Sequence, residues 1–441
     1  MKHVFHVWMS LASLLAGLAA AATDCLPKNG DRITVAAEDT PLGLKRHADY
    51  ICDAKDARPI LQKAIDQAYR LGVRCLLLGG TYNINSRGDR NKKGALCFGN
   101  PEKSERFYGQ MRGAYHVLEG ARQPFGWYGG TVLTMGKELF DSIPEDEEFS
   151  LFYSGGNNLF ARGFTVRNIV VRLPGTRKPI VVFNAQASGI VRYEDCWVSA
   201  LDPMKMNWAT AEGVEVPHPR SVAFRGCAGS NIYSTEWKNC VAQGFGTGFD
   251  IGGEHVYCES LSALYNLYGF AFNCYKGKNS IDDPDARRAC GACVYPVYCV
   301  NLLDEHNVHM PRFGAASHDG RPVSSNNVQS ITIRGMNLQW PNTAPGHTDR
   351  SAADFMAGRH RATEDQPGTW RGSIEYVIDH TTPDGGVNLT GEPFFEKGHG
   401  ANVKCLNLTV QAGEGGAKPE DSPAARAIPA SWNSPFSRSL R

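Results

Sequence analysis

Arg225 and Asp250 are two oppositely charged residues in short segments of similar pattern. Arg225 ends the segment 222–225, and Asp250 is the second residue of the segment 249–252. If these segments stack as neighbouring strands about 4.8 Å apart, the two side chains come within reach across a diagonal. The spacing therefore predicts a guanidinium and a carboxylate at one site. They form either a catalytic pair or a surface salt bridge, which would contribute little to stability.

Other residues near this pair in the sequence have side chains suited to acid–base or ionic chemistry. Glu254 and His255 follow Asp250, and a histidine beside a carboxylate can donate or accept a proton near neutral pH. An exposed histidine without a chemical role is the alternative interpretation of His255. Lys276 could hold a carboxylate or sulfate. The candidate substrate-binding residues are Asn184, Asn273, Trp208, Glu212, Glu215, His218, His306 and His309.

Four segments must position these side chains, and they share one pattern. Each has apolar first and third residues, as in a strand with one buried face: 181–184, 222–225, 249–252 and 270–273. Laid on one another, they predict a single buried row. Its members are Phe183, Phe224, Ile251 and Phe272.

A second repeated pattern has a small turn-forming residue in its middle. It occurs at 166–171, 193–198, 237–242 and 258–263, and more loosely at 333–338. The central Asn, Asp, Ser or Gly tolerates left-handed backbone, so one strand can bend directly into the next. Each coil is then strand, turn, strand, one-residue bend, strand. The two patterns predict a β-solenoid, and an ordinary β-sandwich is the alternative.

The chain ends differ in composition from the middle. Residues 1–22 combine Lys2 and His3 with an apolar run and then small residues, which predicts a secretory signal peptide. This apolar run is too short to anchor the chain in a membrane, and no later segment has the length of a membrane span. Residues 23–411 are predicted to form one domain, and residues 412–441 a flexible tail. We therefore expect a secreted or periplasmic protein.

Charge and cysteine content narrow the classes of partner and compartment. The net charge of +1 gives no indication of a nucleic-acid partner. Thirteen cysteines in an exported chain predict disulfide bonds. The disulfide candidates are Cys25, Cys52, Cys274, Cys290, Cys293 and Cys299. Cys196 and Cys240 are interpreted as small core residues.

Two further clusters invite a functional interpretation. Cys290 and Cys293, followed by His306 and His309, have a spacing similar to that of zinc ligands, but disulfide bonding is favoured and no metal site is predicted. The acidic run at 145–148 is interpreted as a solvated loop rather than a cation site.

Residues 56–84 carry a family resemblance. Asp56 can cap a helix with an apolar face, Gly72 can end that helix, and an apolar strand and the sequence Gly79-Gly80-Thr81-Tyr82 follow. This arrangement resembles the amino-terminal cap and first coil of the pectin-lyase-like family, and the resemblance extends over about residues 50–410. It implies an all-β fold, a right-handed parallel β-helix with an N-terminal capping helix and long loop insertions. It also implies that substrate lies along one strand face between the longest turns, here 201–220 and 274–292.

The resemblance implies a polysaccharide as substrate, and the basic candidates favour an acidic one. A polysaccharide lyase would cleave a uronate-containing glycan by β-elimination, with Arg225 or Lys276 neutralising charge and His255 moving the proton. Asp250 would orient a partner or help to hold a cation. Ca²⁺ is possible, but no cofactor is required. The alternatives are a glycoside hydrolase with paired carboxylates, Asp250 with Glu254, Glu212 or Glu215, and a non-catalytic glycan-binding β-helix.

Overall fold

The strands of this chain lie in stacks, in which each strand is hydrogen-bonded to strands of the preceding and following coils. The computed structural model describes residues 28, 30–90, 92–98, 116–121, 130–154, 164–185, 190–201, 215–226, 234–251, 256–272, 297–305, 307, 312–313, 330–341, 369–379 and 402–412. These residues are mostly strands in long parallel sheets, with few helices. That arrangement is consistent with a parallel β-helix or solenoid, and it is not the antiparallel pairing of a β-sandwich.

Stack A holds the first strand of each coil. Its members are β1 (Arg32–Ala36), β3 (Arg74–Leu77), β6 (His116–Gly120), β9 (Phe164–Arg167), β12 (Ile190–Glu194), β15 (Ser234–Lys238), β18 (Val256–Glu259) and the first half of β21 (Val297–Glu305). The short strand β2 (Tyr50–Ile51) pairs with the end of β1.

Stack B follows stack A within each coil. Its members are β4 (Gly80–Ile84), β7 (Thr131–Met135), β10 (Val170–Arg172), β13 (Trp197–Ser199), β16 (Val241–Gln243), β19 (Ser262–Leu264) and the second half of β21. Beyond β21 the sheet continues through β23 (Ser330–Pro341), which is parallel to β21. It then changes direction at β24 (Thr369–Asp379) and β25 (Asn402–Ala412), which pair antiparallel.

Stack C is a separate parallel sheet and holds the candidate site. Its members are β5 (Gly94–Phe98), β8 (Phe149–Ser154), β11 (Ile180–Asn184), β14 (Val222–Arg225), β17 (Thr247–Ile251), β20 (Tyr268–Phe272) and β22 (Arg312–Phe313). All four segments of the first sequence pattern therefore lie in one stack.

The predicted one-residue bends join stack A to stack B. Asn168, Asp195, Asn239 and Ser260 have φ of 57°, 52°, 51° and 54°, which is the left-handed backbone that their side chains tolerate. The bends also contact one another, since Asn239 Nδ2 donates to Asp195 Oδ1 at 3.1 Å. The sequence reading missed one further bend, Asn301, with φ of 56°.

The buried aromatic row of stack C differs from the predicted row by two residues in its last two strands. Phe224 pairs with Phe249, and Phe249 with Phe270, whereas Ile251 pairs with Phe272. The stacked rings are Phe98, Phe152, Phe183, Phe224, Phe249 and Phe270, with successive centroids 4.9–6.0 Å apart. The prediction that Ile251 and Phe272 continue the row was wrong, because stacking of like aromatic rings sets the register.

The amino-terminal helix matches its sequence signals. Helices α1 (Leu42–Lys45), α2 (Arg58–Leu71) and α3 (Lys137–Asp141) are the helices of the described residues. In α2, Leu61, Ala64 and Ile65 are buried, and Gly72 ends the helix with φ of 67°. The N-cap residue is Ala57 rather than the predicted Asp56, and Asp56 Oδ1 accepts the N–H of Arg58, the first helical residue, at 3.1 Å.

Within the described residues no two cysteines lie at disulfide distance. Cys52, Cys75, Cys97, Cys196, Cys240, Cys258 and Cys299 are buried thiols. The prediction for Cys196 and Cys240 as core residues is confirmed. Cys52 and Cys299 do not form the expected disulfides here, because each packs as a small apolar side chain in the core. Cys25, Cys274, Cys290 and Cys293 lie outside the described residues.

No helix in the described ranges has both the length and the apolar character needed to cross a membrane.

Candidate functional site

In four strands of stack C, the residue directly after the aligned Phe is polar, and these polar residues form a second row, which we call the polar row. Tyr153 pairs with Asn184, Asn184 with Arg225, and Arg225 with Asp250, on four consecutive strands. The Phe rings of the preceding level contact stack A through Tyr193. Because successive side chains of a strand point to opposite faces, this polar row faces away from stack A. The strands therefore bring the two predicted site residues to the same level, directly opposite each other rather than on a diagonal.

Arg225 is held between two carboxylates. Its Nη1 and Nη2 donate to Glu148 Oε1 and Oε2 at 2.7 and 3.2 Å, and its Nε lies 3.5 Å from Asp250 Oδ2. A bidentate fork of this kind is the strongest common arrangement between guanidinium and carboxylate. The predicted proximity of Arg225 and Asp250 is confirmed, but Glu148 makes the closer contact.

The ion pair is buried, which corrects the expectation of an exposed pair. The exposed fraction of the side chain is 1% for Arg225, 4% for Asp250 and 20% for Glu148. The alternative of a surface salt bridge is therefore wrong as well. Taking charges out of water costs several kcal/mol per ion unless paired groups compensate, so each of these residues depends on the others.

The amino-terminal half of the polar row is also buried. Asn184 Nδ2 donates to Ser150 Oγ at 3.0 Å. Burial raises the pKa of Tyr153 far above its ordinary value, so its hydroxyl stays protonated. The Tyr153 ring covers Gly94, where a Cβ would lie 2.3 Å from the ring. Glycine at position 94 therefore leaves the room that the ring of Tyr153 needs.

Helix α2 contacts β5, the strand beside the first strand of the polar row. Gln62 makes two hydrogen bonds to the Cys97 backbone, with Nε2 donating to the carbonyl at 3.0 Å and Oε1 accepting the N–H at 2.8 Å. Cys97 pairs with Tyr153 in the register of stack C. Helix α2 thus fixes β5, the strand that pairs with β8, on which the row begins.

Two predicted substrate-binding residues, Glu215 and His218, make other contacts than those of the polar row. Glu215 is exposed and pairs with Arg177, at 3.2 Å. His218 is partly buried, and its Nδ1 accepts the Arg220 N–H at 3.2 Å. Burial, followed by the charge of Arg220, lowers the pKa of His218. Asn184 is therefore the one predicted substrate-binding residue that the described structure brings into the polar row.

The remaining candidates lie outside the described residues, as does most of the two predicted walls. These candidates are Glu254, His255, Lys276, Asn273, Trp208, Glu212, His306 and His309.

Glu148 is the site residue that the sequence reading missed. The acidic run was interpreted as solvated, yet Glu147 contacts Arg87 at 2.7 Å and Glu148 binds Arg225. That interpretation was wrong for these two residues, because each carboxylate meets an arginine from elsewhere in the chain. The position of Glu148 in the sequence could have indicated its role. It directly precedes 149–153, an apolar segment that aligns with the other strands of stack C.

The polar row offers a carboxylate, a guanidinium, an amide and a phenol on adjacent strands, and the Glu148 carboxylate lies beside it. Among the described residues no group of three or more His, Cys, Asp and Glu side chains is arranged to hold a metal ion. The guanidinium binds one carboxylate, that of Glu148, and carboxylates are among the groups that transfer protons in enzymes. Comparisons with protein families, curated proteins and solved structures give no match to this chain.

Proposed function

We propose that this chain is an exported enzyme that cleaves an acidic polysaccharide at the polar row of stack C. The observation that carries the proposal is the Arg225 guanidinium held between Glu148 and Asp250. Burying three charged groups costs stability compared with an apolar core, and violations of this kind are concentrated at functional sites. The extension of polar side chains over consecutive strands suits an extended polymer better than a small ligand.

The fold we propose is a closed right-handed parallel β-helix, similar to the pectin-lyase-like family. Two features support it. Stacks A, B and C recur in constant order within the coils, and α2 packs against the amino-terminal strands. A chain that returns to the neighbouring parallel strand of the same sheet does so almost always with a right-handed connection.

Export is supported by the composition of residues 1–22, and it agrees with the polymeric substrate that we propose. A polysaccharide is met outside the cytoplasm, in the periplasm or in the medium. The described thiols are buried, so exposure to an oxidising compartment does not require them to pair.

Elimination is the reaction we favour. A base removes the proton next to a uronate carboxylate, and a positive group stabilises the enolate-like charge that develops. The glycosidic oxygen then leaves from the adjacent carbon and takes up a proton, as a carbon–carbon double bond forms between the two carbons. Arg225 supplies that positive charge, and Asp250 orients the guanidinium through Nε. His255 is the candidate base, and Lys276 a candidate second cation. Ca²⁺ could assist by bridging carboxylates, although no residue role here requires it.

Hydrolysis is a second candidate because a specific observation favours it. Glu148 and Asp250 both contact the Arg225 guanidinium, so two carboxylates lie around one point. A pair of carboxylates is the usual equipment of a glycoside hydrolase, in which their separation sets the stereochemical outcome.

A panel of polysaccharides distinguishes these reactions. The purified protein is incubated with pectic, alginate, glycosaminoglycan and neutral polysaccharides, while ultraviolet absorbance and reducing ends are followed. Elimination produces unsaturated ends that absorb, and hydrolysis produces reducing ends without absorbance. Binding without either product would indicate a non-catalytic glycan-binding protein and would refute the proposed activity.

A further inference from the structure

Glu148 presents to Arg225 the same chemical group that an acidic sugar would present. Both carboxylate oxygens engage the guanidinium fork, at 2.7 and 3.2 Å. A uronate carboxylate has the same planar, two-oxygen geometry, so it can make the same pair of hydrogen bonds.

Arg225, Asp250 and Glu148 differ in how far their side chains are exposed to solvent. Arg225 and Asp250 are almost fully buried, whereas one fifth of the Glu148 side chain is exposed. Of these three side chains, Glu148 is therefore the one that solvent reaches. Asp250 stays against Nε and leaves the fork of the guanidinium to another carboxylate.

The chain around Glu148 is anchored independently of its side chain. Glu147 is held by Arg87, whose Nη2 also donates to the Ser142 carbonyl at 3.0 Å. The Phe149 N–H donates to the Pro179 carbonyl at 3.1 Å. The Glu148 side chain can thus rotate away while the backbone on both sides keeps its contacts.

Exchange of one carboxylate for another keeps the buried charges paired. Removing Glu148 from the fork without a replacement would leave a buried guanidinium short of a partner, which is costly. A ligand carboxylate that enters as Glu148 leaves avoids that cost. The internal carboxylate competes with the ligand. The apparent affinity is therefore the intrinsic affinity multiplied by the fraction of molecules in which the fork is open.

We propose that Glu148 is an internal stand-in for the substrate carboxylate, occupying the Arg225 fork at rest and displaced by a uronate when the glycan binds. This inference rests on the proposed function. It adds a regulatory contact at the same site.

Calorimetric titration with uronate trisaccharides tests the exchange without any need for turnover. The probes are galacturonate and mannuronate trisaccharides, with a galactose trisaccharide as the neutral control. The proteins are wild type, Glu148→Gln and the matched control Glu147→Gln, whose carboxylate is held by Arg87 instead. We expect Glu148→Gln to bind an acidic trisaccharide about tenfold more tightly than wild type, within the usual range of coupling between sites. We expect no change in Glu147→Gln or with the neutral sugar.

Equal or weaker acidic-sugar binding by folded Glu148→Gln would overturn the exchange, as would no binding by any variant. If Glu148→Gln does not fold, Glu148→Asp takes its place, since the shorter side chain keeps its charge but holds the fork less well. Failure of both variants to fold would show a permanent structural contact and would also overturn the proposal. Tighter binding by Glu148→Gln without cleavage of any polysaccharide would refute the proposed enzymatic activity but support the carboxylate exchange. Cleavage by the wild type with unchanged binding by Glu148→Gln would support the activity but refute the exchange.

Discussion

At the scale of single residues, Arg225 joins parts of the chain that are far apart in sequence. Glu148 lies 77 positions before it, and Asp250 lies on the next strand of stack C. The buried guanidinium and its carboxylates depend on each other for charge compensation. Arg225 is therefore both a structural contact and the candidate cation of the site.

Replacement of Arg225 by Ala should lower the free energy of unfolding by about 3–5 kcal/mol, because it leaves Asp250 and Glu148 without the arginine that compensates them. Urea denaturation provides the measurement. The matched variant is Arg225→Met combined with Glu148→Gln and Asp250→Asn, which should recover part of the loss. Wild-type stability in Arg225→Ala would show that the ion pair is not buried in solution.

Cys97 should make the free energy of unfolding depend on pH in the alkaline range. Burial raises the pKa of this thiol from 9.0 to about 11. Between these values the unfolded chain loses the proton that the native state keeps, so the stability that Cys97 contributes is complete below pH 9 and lost as pH rises through about 11. Denaturation of wild type and Cys97→Ala across this range measures it. The difference between the two should shrink with rising pH, and a constant difference would contradict the burial of the thiol.

At the scale of elements, stack C owes its register to its aromatic row. The Phe224 and Phe249 rings stack with centroids 5.0 Å apart, and Phe249 and Phe270 with centroids 5.3 Å apart. This register also sets Arg225 opposite Asp250 at the next level. The packing of the core thus positions the candidate site.

Phe249→Ala should destabilise the protein by about 3–5 kcal/mol, because it opens a cavity in the middle of the row. Phe249→Leu is the control, since it keeps most of the apolar volume and should lose clearly less. Chemical denaturation of both variants is the measurement. Equal and small losses in the two variants would place the Phe249 ring outside the row.

Asn239 tests the bends between stacks A and B. Its φ of 51° is costly for most side chains, so Asn239→Val should lose about 1–2 kcal/mol from backbone strain. Asn239→Gly loses the same hydrogen bond to Asp195 but tolerates the backbone, and the difference between the two variants isolates the strain. If Val and Gly prove equally stable at this position, the left-handed bend is not present.

The sequence predicts much of this organisation because the required residue types are local. The residues that bend stack A into stack B with left-handed backbone are recognisable as Asn, Asp or Ser, and the helix ending at Gly72 carries its own signals. The register of stack C was ambiguous because Phe249 and Ile251 are both apolar and two residues apart. Ring stacking, which single segments do not encode, decides between them.

The burial of the ion pair could not be predicted in the same way. It depends on Glu148, which lies in a separate acidic run and meets Arg225 only after two coils have stacked. A charge at a strand end is usually solvated, so local pattern favours exposure. The proximity of Arg225 and Asp250 was predictable from strand stacking, whereas the third partner required the tertiary structure.

At the scale of the whole molecule, the parallel strands of stack C repeat buried polar side chains from one strand to the next, beside the buried aromatic row. Stack C forms a sheet separate from that of stacks A and B. The strands of stack C therefore carry the aromatic core on one face and the polar row on the other. That division of roles is the central claim of the account.

The most direct test compares turnover of wild type and Asp250→Asn on the acidic polysaccharide that the wild type cleaves fastest. The substitution keeps the shape of the side chain but removes the charge that orients Arg225, so the rate should fall about 100-fold, as for a misplaced catalytic group. Glu236→Gln, in the stack A surface pair with Arg192, is the control and should retain wild-type turnover. Denaturation midpoints must show that both variants are folded. Undiminished turnover in Asp250→Asn, or a wild type that cleaves no acidic polysaccharide, would contradict the account.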